Sequence, residues 1–92
     1  MNNTYRINET CDLLENNNST IVFLESTKKV FILNDIENEI FNLIKEKNIL
    51  GDIIEKLENK YHSNNEIIKK DVLYFINNLL KANLIIEETI SQ

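Results

Sequence analysis

Proline and tryptophan are absent from this 92-residue chain, and glycine and cysteine occur once each. With Gly51 alone and no Pro, the turns must be built from Asn, Asp and Ser, the other residues that suit tight backbone geometry. A lone Cys11 excludes an internal disulfide and a thiolate zinc cluster, and it fits a reducing compartment. Positive charge is also scarce: ten Lys and Arg stand against fifteen Asp and Glu, a net charge of −5. Phosphate binding needs a surplus of Lys and Arg, so a nucleic-acid partner is not expected. No long uncharged apolar run exists, and residues 1–6 lack the apolar stretch of a signal peptide. The expectation is a cytoplasmic protein with no membrane contact. The 42% hydrophobic and 27% charged fractions are those of a soluble globular chain. A single domain over residues 1–92 is expected, with residues 1–10 and 87–92 loose at its ends.

What the chain has instead is an order, strands first and helices after. Cys11 to Glu15 reads as a first strand and Asn16 to Ser19 as a turn. Thr20-Ile21-Val22-Phe23-Leu24, β-branched and aromatic, is the second strand. Glu25 to Lys28 turns the chain into a third, Lys29-Val30-Phe31-Ile32-Leu33. Asn34 follows, with Glu37 three residues on, the spacing of a reciprocal helix cap. Ile36, Ile40, Phe41, Leu43 and Ile44 then recur at helical period. Gly51 breaks that pattern, and a second helix is expected from about Asp52 with Ile53, Ile54, Leu57 and Tyr61 on one stripe. The third helix, residues 66–82, has a core stripe of Ile68, Val72, Phe75, Ile76 and Leu79. Asn83 stands where Gly usually ends a helix, and Leu84-Ile85-Ile86 closes the chain. The fold class is α+β: a three-stranded antiparallel sheet followed by three helices.

The third strand carries the functional reading. Val30 and Ile32 point to one face, Phe31 and Leu33 to the other, so it is apolar on both. A strand of that kind at a sheet edge accepts an extended peptide by main-chain hydrogen bonding. It also gives two copies of the chain an edge through which to dimerise. On the third helix Leu73, Asn77 and Leu80 lie off the core stripe, with Lys69 one turn before Leu73. Together they form a candidate second wall for an amphipathic, acidic peptide; the alternative is that Leu73 and Leu80 widen the core contact.

The run Phe23-Leu24-Glu25-Ser26-Thr27-Lys28-Lys29-Val30-Phe31-Ile32-Leu33-Asn34 resembles the strand, turn, strand and cap of PqqD-like proteins. Glu39 to Ile44, Ile53 to Leu57, Asp71 to Leu79 and Leu84-Ile85 extend the resemblance to about residues 11–86. It implies a winged-helix-like arrangement that recognises the leader of a ribosomally made, post-translationally modified peptide. The leader would add as a strand along Lys29, Val30, Phe31, Ile32 and Leu33, against the third helix at Lys69, Leu73, Asn77 and Leu80. The implied partners are the precursor's leader and a modifying enzyme, either a radical-SAM enzyme or the leader peptidase and cyclase of a lasso-peptide system. Departures from the family pattern are the acidic charge, the missing Pro before the third strand, and Asn83 in place of Gly.

Elsewhere the residues do not assemble into a catalytic set, so an enzyme is not expected, and no cofactor or metal is implied. Cys11 has no His beside it, and His62, the sole histidine, sits in a polar connector. Tyr5, Tyr61 and Tyr74 read as packing residues with solvated hydroxyls. Two alternatives stay open. One is a winged helix-turn-helix DNA binder reading through the third helix, whose Lys69, Lys70 and Lys81 are offset by Glu66 and Asp71. The other is an interaction domain that uses the same groove for a different protein.

Overall fold

The computed structural model describes residues 3–16, 19–62 and 65–89. Five strands and three helices follow in the order β1 Asn3–Ile7, β2 Cys11–Asn16, β3 Ser19–Leu24, β4 Lys29–Leu33, α1 Asp35–Lys45, α2 Leu50–Tyr61, α3 Asn65–Lys81 and β5 Ile85–Thr89. β2, β3 and β4 form an antiparallel sheet in that order, with Ile21 opposite both Leu14 and Ile32, and Phe23 opposite Val30. The three helices follow it, so the architecture is α+β and winged-helix-like, as the order of strand and helix patterns predicts.

Alternation sets which face of the sheet is covered. Thr20, Val22 and Leu24 of β3 are buried, as is Leu33 of β4, while Ile21 and Phe23 are half-buried on the opposite face. Buried Thr20 donates its hydroxyl proton to Asn38 of α1, which satisfies the polar group on the core side. The core continues through Ile40, Phe41 and Ile44 of α1, Ile53 and Leu57 of α2, and Val72, Phe75, Ile76 and Leu79 of α3. Those positions repeat every three or four residues, the spacing that puts one stripe of each helix against the sheet.

Local signals set the helix ends. The Asn34 side chain accepts from the Glu37 amide, and the Glu37 carboxylate accepts from the Asn34 amide, both at 2.9 Å. That reciprocal cap holds the junction between β4 and α1 rigid. α3 ends with Asn83 at a φ of 64°, the left-handed position that favours Gly and tolerates Asn. The Asn83 and Leu84 amides return to the carbonyls of Leu80 and Leu79.

Three expectations need correction. Within the segment expected to be a loose arm, Asn3–Ile7 is strand β1, paired antiparallel with β5 so that Tyr5 faces Glu87 and Ile7 faces Ile85; residues 1–2 lie outside the described residues. Tyr5 is only 3% exposed, and its burial fastens the strand to the core. Residues 87–89 belong to that same pairing rather than to a frayed tail; residues 90–92 lie outside the described residues. Gly51 does not break the chain but sits in the first turn of α2, which begins at Leu50 because Leu50 is itself buried. The turn expected at Asn16 to Ser19 includes residues 17 and 18, also outside the described residues.

Candidate functional site

β4 has one hydrogen-bonded neighbour, β3, so its other backbone rim is unpaired among the described residues. Among the described residues the strands nearest the chain's two ends, β1 and β5, pair with each other and not with that rim. Beside it lies a cleft of about 350 Å³, lined by Val30, Phe31, Ile32 and Leu33 on one wall and by Phe75, Asn78 and Leu79 of α3, with Ala82 just past its end, on the other. Leu84 and Glu37 complete it. Glu37 is held by the helix cap, so its position is defined before anything enters the cleft.

Four of the five strand residues singled out in the sequence therefore line this cleft, and Lys29 begins the same strand. Val30 and Ile32 are 58% and 73% exposed, Phe31 is half-buried and Leu33 buried. With Ile21 and Leu14 in register beside Ile32, the outer face of the sheet is apolar where a solvated face would alternate to polar residues. The helix residues fall differently. Successive helical positions turn by about 100°, which puts Lys69, Leu73, Asn77 and Leu80 roughly 160° round α3 from the positions that line the cleft. Lys69 and Leu73 instead border a shallow hollow of about 780 Å³ with Glu66, Ile67 and Lys70. Asn77 is exposed and Leu80 half-buried against the core. Phe75 and Leu79 were assigned to the core alone, yet they serve both core and cleft. Asn78 and Ala82, missed in the sequence, follow from that: they extend the Phe75 side of the helix at i+3 and i+7.

The other reactive groups are engaged elsewhere. Burial, with Asp12 beside it, pushes the Cys11 thiol above its ordinary pKa, which lowers its thiolate fraction and nucleophilicity. Burial also raises the Glu39 carboxyl, but hydrogen bonds from Lys60 and Tyr61, each 2.7 Å, outweigh it and hold the group below the usual carboxylate range. That cluster joins α1 to α2 on the surface. Tyr74, expected to pack, is 71% exposed on α3. Among the described residues no group of three His, Cys, Asp or Glu is placed to hold a metal ion, and no helix is long and apolar enough to cross a membrane.

The family described as Coenzyme PQQ synthesis protein D (PqqD) matches residues 19–85, from β3 to the start of β5. No curated protein matches the chain. Two solved structures share its fold. One is TbiB1 in complex with the TbiA(beta) leader peptide, 16% identical, with a TM-score of 0.83 over 95% of this chain and 99% of that one. The other is lasso peptide synthetase B1 complexed with the leader peptide, 12% identical, with a TM-score of 0.82 over 89% and 96% of the two chains.

Proposed function

The chain belongs to the PqqD family, and from that premise we propose that it is a binding adaptor rather than a catalyst. It captures the leader of a ribosomally made precursor peptide as a strand on β4 and presents the precursor to a separate enzyme. That enzyme is a modifying enzyme of the radical-SAM kind or a leader peptidase. The observation that carries this reading is the unpaired rim of β4 opening onto an apolar cleft. The two structural neighbours, each a complex with a leader peptide, support it.

Magnitudes assign the parts of the cleft their work. About four main-chain hydrogen bonds contribute roughly 2–6 kcal/mol net, and ordering a disordered peptide costs about 2–5 kcal/mol. The ladder therefore sets register with little affinity left over. Micromolar binding needs about 8 kcal/mol, and each fully buried apolar side chain supplies roughly 1.5–3 kcal/mol. Two or three leader side chains must then bury against Phe31, Phe75, Leu79 and Ala82, with others lying along Val30 and Ile32.

The direct test is titration of the full chain with a synthetic leader from a precursor encoded beside it. Binding at tens of micromolar or tighter is expected, and none at that level sinks the proposal. Phe31→Pro and Ile32→Pro sharpen it, because neighbouring strand residues aim their amides to opposite sides. The variant that loses the rim amide should weaken binding at least about tenfold, or ~1.4 kcal/mol, with the smaller drop in melting temperature. Equal losses of binding and stability in both variants would show unfolding rather than a lost rim.

A further inference from the structure

The cleft beside β4 is apolar but for two side chains, the Glu37 carboxylate and the Asn78 amide. Among the described residues no Lys or Arg lines it. An acidic occupant, which Lys69 suggests in the sequence, therefore finds no cation there: Lys69 and Lys70 border the hollow on the other flank of α3. Charge on the cleft side has the opposite sign. Asp71 stands one turn before Phe75, within about 40° of it around α3, and adds a second carboxylate on that side of the helix.

Glu37 is the better placed of the two. Its Oε1 accepts from the Asn34 amide at 2.9 Å, and Asn34 directly follows Leu33, so the carboxylate stands at the Leu33 end of the open rim. The cap fixes its direction without using it up. No cation pairs with it among the described residues, and Oε2 keeps its lone pairs for another donor. Glu37 is already half-buried. A strand laid along β4 would remove more of its water, and a carboxylate covered without a partner is costly. The positive end of α1 offsets about half a charge, whereas Asp35 and Glu37 both bring a full one to that first turn.

Resting on the leader-capture reading, we infer that the leader this chain takes up carries a Lys or Arg at the end of its bound strand that lies beside Leu33, and that this cation pairs with the Glu37 carboxylate. A leader with Asp or Glu at that point is rejected, because two carboxylates would then share a poorly solvated site. The chain's net charge of −5 favours the same sign of occupant during approach. Glu37 then selects at close range, where a charge held in one place distinguishes a cation from a neutral side chain.

The experiment uses the full chain, the labelled synthetic leader of a precursor encoded beside it, and a second version of that leader with every Lys and Arg replaced by Gln. Glu37→Gln is the informative variant, because the Gln side-chain oxygen still accepts from the Asn34 amide and keeps the cap while the charge is lost. Wild type should bind the native leader at least about fivefold more tightly than the Gln leader. Glu37→Gln should lose that preference and bind the two within about twofold. Raising salt from about 50 to 500 mM should weaken the complex of wild type with the native leader most. Equal binding of both leaders to wild type, a Glu37→Gln protein that keeps the preference, or a leader without Lys or Arg in its bound segment would overturn the inference and leave leader capture standing. The comparison on wild type needs no variant, so a weakened cap in Glu37→Gln does not shield the inference. No binding of either leader to wild type would overturn both.

Discussion

In the two-stranded sheet the chain's own ends supply both strands, and Tyr5 and Ile85 turn inward to the core. In the three-stranded sheet β4 has a partner on one side, and its outward residues Val30 and Ile32 stay exposed. An isolated pair of short strands is marginal in water, so the first sheet depends on what its buried side chains contribute. β4 has its exposed rim without the usual protections: no Pro, no covering strand among the described residues, and Lys29 as its one charge. The contrast shows that β1 and β5, which pair with each other, leave the outer rim of β4 open among the described residues.

The largest expected effect tests the closed sheet. Tyr5→Ala removes a buried aromatic that joins β1 to the core, at a cost of about 3–5 kcal/mol. For a domain this size each kcal/mol lowers the melting temperature by roughly 4–8 °C. Thermal unfolding followed by circular dichroism reads the change. A drop equivalent to under ~1 kcal/mol would mean that β1 and β5 are held by their ladder alone.

The open side is tested by filling it. Ala82→Phe places a ring in the cleft beside Phe31 and Leu79, and it should weaken leader binding at least about tenfold, or ~1.4 kcal/mol. Its effect on stability should stay below that of Tyr5→Ala, since the site is only half-buried. Leu73→Ala and Leu80→Ala, on the opposite flank of α3, are the matched controls. They should cost about 1–2 kcal/mol of stability and leave binding within about twofold. Loss of binding in the controls, with none in Ala82→Phe, would move the peptide to the other side of the helix.

That reversal was invited by the sequence itself, which shows periods but not which side of a helix meets which strand. The cap at Asn34 and Glu37, the double-faced apolar character of Val30 to Leu33, and the core stripe of α3 are local patterns, and each is found where its spacing puts it. The Asn83 helix end is equally local. The second wall of the cleft is not. Leu73 and Leu80 stand out as apolar residues beyond the core stripe, whereas Asn78 and Ala82 are inconspicuous until α3 is set beside β4. The pairing of β1 with β5 joins residues from opposite ends of the chain, and in a five-residue segment with one Tyr and one Ile no period announces it.

The smallest effect asks whether charge helps to close the first sheet. The Glu88 carboxylate on β5 lies 3.2 Å from the Lys47 ammonium and 3.7 Å from the Arg6 guanidinium of β1. All three side chains are well solvated, so the pairs compete with water and with the entropy of three long side chains. Glu88→Gln should therefore cost less than about 1 kcal/mol by chemical denaturation. The difference from wild type should shrink further as salt rises to about 0.5 M. A loss approaching that of Tyr5→Ala, and insensitive to salt, would mean the ion pairs and not the buried ring hold the ends together. The two sheets would then differ in their charges more than in their burial.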